Sequence, residues 1–428
     1  MPGCRASDNS IVPRRRPNNV KKRAEHTAEV EEGRALAKGT TVEQTRVRTQ
    51  RRSALPRARD RIRAAARKDR AMPLTALWHH VYDIDRLREA YYGVNRDASP
   101  GSDGQTWATY GEHLEANLRD LSDRLTRGTD QASPVERVSI PKADGRQRPI
   151  GLPTLEDKIV QRAAVAVLNA IYEQDFRGFS SGFRPGRSPH DALEAVTVGI
   201  EKRDINWVLD VDRRGALDAI DQAGLVKFVA HRIGDRRVVR HLWRWLKAGV
   251  LEDGQWREQE EGTPQGGSIS PLAANLDLHS VLDRWAERWR RRDARGDMLI
   301  GRFADDVIVG FEHRDAAERF WAELRERFQQ FHRELHPEKT RLIEFGRFAA
   351  ERRQRRGQGR PETFDVLGLT HMCSKPRTGK FTVRRQTIAK RLRQTRQEVN
   401  AALRERRHWP IPHQGAWRRS VLLGHYRY

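Results

Sequence analysis

The arrangement most suited to chemistry in this chain is a pair of adjacent carboxylates, Asp305 and Asp306, between two short apolar runs. Residues 298–303 and 307–311 are rich in branched and aromatic side chains, which are typical of β-strands. This pattern predicts a hairpin with Ala304, Asp305 and Asp306 in its turn. Like charges a few Å apart raise each other's pKa unless a cation lies between them, so one interpretation is a divalent metal site. The alternative is a solvated turn, because Asp is common in turns.

A second carboxylate site is predicted at the end of another strand, at residues 207–212. Alternation along this strand points Asp210 and Asp212 to the same face. Asp210 and the Asp305 turn can converge only if both elements are central strands of one sheet. Three carboxylates converging on divalent ions suit phosphoryl transfer, in which one ion activates a 3′-hydroxyl and the other stabilises pyrophosphate. The candidate chemistry is nucleotidyl transfer on a polynucleotide.

The charge of the chain points to a nucleic acid partner. The formal net charge is +24, and it is concentrated at the two ends. Residues 1–70 contain 20 Lys and Arg against 8 Asp and Glu, and residues 376–428 contain 14 against 2, whereas residues 71–375 contain 48 of each. Cations release counterions when they neutralise phosphates, so basic ends around a neutral centre predict a core held on nucleic acid by its flanking segments.

Cysteine content and hydropathy bear on the compartment. Cys4 and Cys373 are the only cysteines, too few for a disulfide framework or a cysteine zinc site, which fits a reducing environment. No apolar run approaches the roughly 18 residues of a membrane span, and the N-terminus does not resemble a signal peptide. We therefore expect a cytoplasmic protein with no membrane partner.

Two predicted features could bind the phosphates of a nucleotide. Residues 135–152 read as a β-hairpin with Lys142, Arg146 and Arg148 around its tip, where cations could meet a triphosphate or form a solvated basic turn. Residues 262–271 form a glycine loop before an apolar helix, and small residues let the backbone approach a ligand closely.

Two other basic features could contact a nucleic acid backbone. The glycine and proline loop at residues 179–190 has Arg184 and Arg187, which suit phosphate contact, although a plain surface loop is the alternative. Residues 388–403 predict a helix with one apolar stripe and otherwise Arg-lined faces, as expected of a helix that rests on a core and offers cations to phosphates.

Seven sequence blocks, in order and at compatible spacings from about Leu74 to the last residue, resemble bacterial group II intron reverse transcriptase/maturases. They are Ile140-Pro141-Lys142, Arg148-Pro149-Ile150, Ser181-Gly182-Phe183-Arg184-Pro185-Gly186-Arg187-Ser188, Leu209-Asp210-Val211-Asp212, Thr263-Pro264-Gln265-Gly266, Phe303-Ala304-Asp305-Asp306 and Phe364-Asp365-Val366-Leu367-Gly368.

The resemblance implies an α+β, right-hand polymerase fold: fingers, a palm built on an antiparallel sheet, and a helical maturase thumb. The implied domains are fingers and palm at 71–375 and a thumb at 376–428. The composition of residues 1–70, basic and interrupted by prolines, predicts a largely disordered extension with a helix at 57–70. The family continues past the last residues of this chain, so the resemblance implies a C-terminally short copy.

The resemblance also implies an activity and partners. The activity is RNA-directed DNA polymerisation, in which deoxynucleoside triphosphates extend a DNA primer on an RNA template. The protein would bind group II intron RNA and promote its splicing. It would also belong to a mobile element. A homodimer is a further possible partner state, which the sequence leaves open.

Site residues follow from the same resemblance. Asp210, Asp305 and Asp306 would be the catalytic triad that binds two Mg²⁺ ions, with Asp210 and Asp305 as the firmest ligands. The implied nucleotide-binding residues are Lys142, Arg148, Ala216, Gln265, Gly266 and Phe303. The implied nucleic-acid-binding residues are Arg184, Arg187, Arg384, Arg385, Lys390 and Arg391.

Several positions depart from the family pattern. Ala216 and Leu217 stand where the family usually has two Phe, the first of which excludes the ribose 2′-hydroxyl, so sugar discrimination is in question. Phe303 replaces a usual Tyr, with the loss of one hydroxyl. Asp277 also replaces a usual Tyr and is expected to be a buried, unpaired charge costing several kcal/mol unless it is solvated.

Two other functions are consistent with these departures and with the order of the blocks. One is a catalytically weakened, RNA-binding splicing maturase, motivated by Ala216, Asp277 and the short thumb. The other is a reverse transcriptase that works outside an intron.

Overall fold

The computed structural model describes residues 41–141, 147–215, 219–263, 266–377 and 379–427. In chain order the elements are α1 Thr41–Lys68, α2 Ile84–Gly93, α3 Trp107–Glu112, α4 Leu114–Arg127, β1 Val135–Pro141, β2 Gln147–Leu152, α5 Leu155–Tyr172, α6 Pro189–Lys202, β3 Trp207–Val211, α7 Gln222–Arg232, α8 Arg236–Lys247, β4 Val250–Glu252, β5 Gln255–Arg257, α9 Ser270–Leu278, a π-helix at His279–Asp283, α10 Arg284–Arg292, β6 Met298–Phe303, β7 Asp306–Phe311, α11 Arg314–Gln329, β8 Arg341–Glu344, α12 Ala349–Arg355, β9 Phe364–Val366, β10 Leu369–Ser374, β11 Thr382–Thr387, α13 Ala389–Glu405 and α14 Ile411–Arg427.

The chain divides into two compact units. The first unit combines Met1–Phe176 with Ile220–Ala273, and the second combines Arg177–Ala219 with Ala274–Tyr428. The domain boundaries expected after residues 70 and 375 are functional divisions of a polymerase and stay predictions.

The first unit is built around α5. The apolar residues of this helix are buried around most of its circumference. The predicted helix at 57–70 overlaps the second half of α1, which begins earlier and ends at Lys68, so part of the segment expected to be disordered is helical. Burial of Ile62 and Ala66 explains why this part of the basic extension is ordered. Residues 1–40 lie outside the described part of the chain.

The sheet of the first unit has the strand order β2-β1-β4-β5. The predicted hairpin at 135–152 is confirmed, because β1 and β2 are antiparallel with Val138 opposite Ile150. Lys142 and Arg146, predicted at its tip, lie outside the described residues.

The second unit contains the sheet that unites the two predicted acidic sites. Its order is β6-β7-β3-β8, and all three strand pairs are antiparallel. Because β7 and β3 are the central strands, the condition for Asp210 to approach the Asp305 turn is met.

Both faces of this sheet are covered. On one face Val208, Ile308 and Ile343 join a core with α6 and with the small sheet β11-β10-β9. On the other face Phe311 packs against aromatic rings of α10 and α11, with its ring centre 6.2 Å from Trp289 and 5.3 Å from Phe320. Two-sided burial explains why β3 and β7 are almost continuously apolar until they reach their acidic ends.

The basic C-terminal segment forms two helices, α13 and α14. No residue of α13 is buried, and its Arg side chains are largely exposed. None of the helices in the described part of the chain is long and apolar enough to cross a membrane.

The Asp235 carboxylate should be a major source of stability in the first unit. It accepts hydrogen bonds from the buried N–H groups of Leu77 (2.7 Å) and Trp78 (2.8 Å), and it caps α8 through the Arg237 N–H (3.0 Å). Loss of these acceptors in Asp235→Ala should lower the free energy of unfolding by about 3 kcal/mol, measured by chemical denaturation.

The matched control is Asp221→Ala. Asp221 caps α7 through the exposed Ala223 N–H alone (3.0 Å), so we expect a loss of only about 1 kcal/mol. Equal losses for the two variants would contradict the importance given to the buried Asp235 contacts.

Candidate active site

The predicted Asp305 hairpin is confirmed. Strands β6 and β7 are antiparallel with Phe303 opposite Asp306, so Ala304 and Asp305 alone form the turn and Asp306 is the first residue of β7. Ala304 has φ +55°, in the left-handed region that non-glycine residues rarely adopt. Such a turn needs support from its surroundings.

The glycine and proline loop that precedes α6 gives this support. The Ser181 N–H donates to the Arg302 carbonyl (2.8 Å), so the loop continues along the edge of β6. A Cβ on Gly182 would collide with the backbone nitrogen of Ala304, so only glycine permits this approach. The Gly182 carbonyl in turn accepts a hydrogen bond from the Asn275 amide of α9 (2.8 Å).

A buried arginine at the end of β6 joins these parts. The Arg302 guanidinium pairs with Asp283 through Nε (2.8 Å) and Nη2 (2.6 Å), and neither side chain is accessible to solvent. Its remaining N–H groups donate to Asn275 Oδ1 (3.0 Å), to the Ala304 carbonyl (2.9 Å) and to Ser180 Oγ (2.6 Å). All five guanidinium donors therefore have acceptors, one of which is the turn itself. Burial raises the pKa of Asp283, but the charge of Arg302 and the hydrogen bond from His279 outweigh it, so the net pKa is lowered.

The strand register brings the carboxylates together. Asp210 lies opposite Ile308 and Val211 opposite Val307, so Asp212 follows at the level of Asp306. Because side chains alternate along strands, Asp210, Asp212 and Asp306 share one face of the sheet. Together with Asp305 in the turn, we call these residues the acidic cluster.

The charges of the acidic cluster are only partly compensated. Burial, together with the negative charges of Asp306 and Asp212, raises the pKa of Asp210 to about 6 against the opposing effect of Arg341, whose Nε is 3.8 Å from the carboxylate. Partial desolvation and the negative charges of Asp305 and Asp212 likewise raise the pKa of Asp306 to about 6, although its side chain keeps contact with solvent. Asp212 is paired with the exposed Lys339, with Nζ 3.2 Å from Oδ2.

The donor set of the cluster fits a hard divalent cation. It consists of carboxylate oxygens, the ligands that Mg²⁺ prefers. The raised pKa values of Asp210 and Asp306 reflect desolvation together with mutual repulsion, and a cation would relieve the repulsion. Within the described residues, no three His, Cys, Asp or Glu side chains converge closely enough to hold an ion as they stand. The carboxylates would therefore have to close on the ion.

Asp212 is a site residue that the sequence patterns do not single out. They place it on the same face as Asp210, and the family resemblance favours Asp210 as the ligand from β3. In the structure Asp212 is the nearer of the two to the turn along the register, and its side chain is more exposed, 37% against 20% for Asp210. The one signal available in the sequence is that Asp212 comes last on the strand, where a buried strand reaches solvent.

Asp277 corrects another expectation. It is fully buried, as predicted, but it is not unpaired: Arg213 Nη1 lies 3.2 Å from one carboxylate oxygen, and Arg333 Nη2 lies 2.8 Å from the other. Sequence patterns contain no sign of this because both arginines are distant from Asp277 along the chain. Asp277 is therefore no reason to expect a weakened site.

The predicted nucleotide-binding residues are described only in part. Lys142, Ala216 and Gln265 lie outside the described residues, as does the side chain of Arg148, whose backbone pairs with Ile140 in β2. In the first unit Gly266 has φ +125°, and a Cβ there would collide with the Gly151 carbonyl oxygen, so its loop requires glycine. In the second unit Phe303 is half-buried and directly precedes the turn.

The predicted nucleic-acid-binding residues differ in their exposure. Arg184 is buried and donates to the carbonyls of Arg177 (2.7 Å) and Ser180 (2.5 Å), while Arg187 donates to the Gly178 carbonyl (2.9 Å), so both tie their own loop together. The other four cations are exposed on β11 and at the start of α13: Arg384, Arg385, Lys390 and Arg391. Arg391 is close enough to the acidic cluster for its charge to lower the pKa of Asp306.

Comparison with known families identifies this sheet. The family described as reverse transcriptase (RNA-dependent DNA polymerase) matches residues 140–371, more than half of the chain, including the whole acidic cluster. The chain belongs to the reverse transcriptase family. The α+β class and the right-hand polymerase fold are thereby confirmed, with β6-β7-β3-β8 as the palm sheet.

Relatives of this chain include intron-encoded proteins. Protein YkfC of Escherichia coli is 39% identical over 203 residues, covering 46% of this chain and 53% of its own length. The group II intron-encoded protein LtrA of Lactococcus lactis is 34% identical over 208 residues, covering 48% of this chain and 34% of its own length. The resemblance to group II intron reverse transcriptase/maturases is confirmed. The chain spans about half or less of the length of these relatives.

Among solved structures, an apo telomerase from Candida tropicalis, truncated from its C-terminal domain, aligns over 66% of this chain and 60% of its own length. The alignment has a TM-score of 0.43 and 16% sequence identity.

The raised pKa of Asp306 predicts a pH-dependent penalty on stability. An acid whose pKa is higher in the folded state than in the unfolded state binds more protons when folded, so stability falls as pH rises from about 4 to 6. The variant Asp306→Asn cannot ionise. In the absence of divalent ions it should therefore gain stability relative to the wild-type protein between pH 4 and pH 7, measured as the difference in Tm.

Asp315→Asn is the control for this prediction. Asp315 is an exposed carboxylate at the start of α11, 3.7 Å from Arg295, and its loss should give no such gain. A Tm difference for Asp306→Asn that stays constant with pH would contradict the account of the cluster.

Proposed function

We propose that this chain is an RNA-directed DNA polymerase of the group II intron type. It extends a DNA primer on an RNA template with deoxynucleoside triphosphates. The observation that carries the proposal is the convergence of Asp210, Asp212, Asp305 and Asp306 at one end of the palm sheet, in a chain of the reverse transcriptase family.

Within this cluster we assign the metal ligand from β3 to Asp212, alongside Asp305 and Asp306. Asp212 is at the strand end beside the turn, and its partner Lys339 is an exposed, flexible cation that an incoming metal could displace. Asp210 is less exposed and is paired with Arg341. It therefore adds negative charge to the site without coordinating the ion directly. This assignment replaces Asp210 as the firmest ligand.

Two Mg²⁺ ions, when bound, supply activation of the primer 3′-hydroxyl and stabilisation of the pyrophosphate leaving group. The carboxylates would hold the ions, and the hydrogen bonds of Arg302 hold the turn that presents Asp305. Lys142 and Arg148 would contact the triphosphate, and Gln265 and Gly266 would line the nucleotide pocket, as the family resemblance implies.

Intron RNA is the proposed second ligand. Exposed cations on β11 and α13 support an RNA-binding role, because Arg and Lys on an accessible surface neutralise phosphates. A weakened maturase that binds RNA without polymerising remains the second candidate, favoured by Ala216 and Leu217 in place of the usual Phe residues.

Primer extension on an RNA template with Mg²⁺ tests the polymerase. The wild-type protein should extend the primer, and Asp305→Ala should reduce extension by about three orders of magnitude, since a metal ligand contributes several kcal/mol to transition-state stabilisation. The control is Glu318→Gln, a change at an exposed residue of α11 in the same unit, which should leave extension unchanged.

Supplying ribonucleotides in place of deoxynucleotides tests the sugar preference that Ala216 puts in question. A folded wild-type protein that binds intron RNA and extends no primer would overturn the polymerase in favour of the weakened maturase.

The choice between Asp212 and Asp210 is tested separately. Asp212→Asn should reduce extension as severely as Asp305→Ala, whereas Asp210→Asn should reduce it by about tenfold or less because it removes no proposed ligand. The reverse order of effects would return the ligand role to Asp210.

A further inference from the structure

Asp277 lies outside the acidic cluster but is connected to it on two sides. Arg213, one of its two partners, directly follows Asp212. Arg333, its other partner, begins the segment that leads to Lys339, the partner of Asp212. One buried carboxylate therefore joins the two chain segments that border the cluster.

The backbone shows that these segments are paired. The Arg214 N–H donates to the Glu334 carbonyl (3.1 Å), and the His336 N–H donates to the Asp212 carbonyl (2.9 Å). The Thr340 hydroxyl donates to the same Asp212 carbonyl (3.0 Å). Any shift of the 333–340 segment is thus transmitted to the backbone of Asp212.

The charge balance makes Asp277 indispensable to this arrangement. Two guanidiniums share one carboxylate, and all three side chains are at most 4% exposed. Without the carboxylate, two like charges would be left buried side by side, which is strongly unfavourable. The segments that carry Arg213 and Arg333 would then move apart or take up water. Arg333 also donates to the Ala219 carbonyl, so the far end of the loop after Asp212 would be released as well.

We infer that Asp277 is a positioning residue for the proposed metal site. By holding Arg213 against Arg333, it fixes the end of β3 so that Asp212 can close on a divalent ion with Asp305 and Asp306. This inference rests on the proposed function, because it assumes that the cluster binds such an ion.

The test is direct binding of Mn²⁺ to the full chain, followed by electron paramagnetic resonance of free Mn²⁺ and without any reaction. Asp277→Asn should weaken Mn²⁺ binding by about tenfold or more, as is typical when a residue that supports a metal ligand is lost. The double variant Asp277→Asn with Arg333→Gln removes one of the two buried positive charges that share the Asp277 carboxylate, so it should recover stability but not Mn²⁺ affinity.

The control for general destabilisation is Asp175→Asn. This variant breaks another ion pair that is largely buried, between Asp175 and Arg232 (2.9 Å) in the first unit. It should lower the Tm and leave Mn²⁺ binding within about twofold of the wild-type value.

The possible results distinguish a failure of the positioning role from a failure of the metal site. Mn²⁺ affinity that stays at the wild-type value in the folded Asp277 variants would overturn the positioning role alone. That role is also wrong if Asp175→Asn loses as much Mn²⁺ affinity as Asp277→Asn, or if neither Asp277 variant folds, because Asp277 would then act only through stability. Absence of Mn²⁺ binding by the wild-type protein would overturn the metal site itself, and the positioning role with it.

Discussion

The buried ion pair between Arg302 and Asp283 is the interaction on which the active-site hairpin depends. It is fully enclosed, and such a pair is tolerated only when every donor and acceptor is satisfied. Arg302 meets this condition by donating to a helix, to the loop before α6 and to the Ala304 carbonyl. A turn with an unfavourable backbone conformation and two adjacent carboxylates is thereby fixed to the palm by a cation that lies behind it.

The acidic cluster shows the opposite balance. Its carboxylates are partly desolvated and face one another with cations at their margins, so ionisation is disfavoured and the pKa values of Asp210 and Asp306 rise. A rigid support beneath a group of only partly compensated charges is what a cation site needs, because the binding energy of the ion then offsets repulsion that folding has already imposed. The buried group formed by Asp277, Arg213 and Arg333 gives a similar rigid support at the other end of the site, where β3 ends.

Part of the fold could be predicted from sequence because its signals are local. The Asp305 hairpin and the β1–β2 hairpin follow from alternation and turn residues within short windows. The resemblance of seven short blocks added the family, which the comparison over residues 140–371 confirmed.

What could not be predicted depends on contacts between distant residues. Asp277 looked like an unpaired charge because Arg213 and Arg333 precede and follow it by more than fifty residues. Arg184 looked like a phosphate ligand, yet its guanidinium is used within its own loop, and only the fold shows this. Choosing between Asp210 and Asp212 required the register of β3 against β7, which alternation alone does not give.

The most direct test of the metal site is anomalous diffraction from crystals of the protein soaked in Mn²⁺. We predict an anomalous peak bounded by the carboxylates of Asp212, Asp305 and Asp306, with Lys339 displaced from Asp212 and the Arg302 network unchanged. A peak at another position, or no peak from crystals of protein that extends primers with Mn²⁺ in solution, would contradict the assignment of the metal site to this cluster.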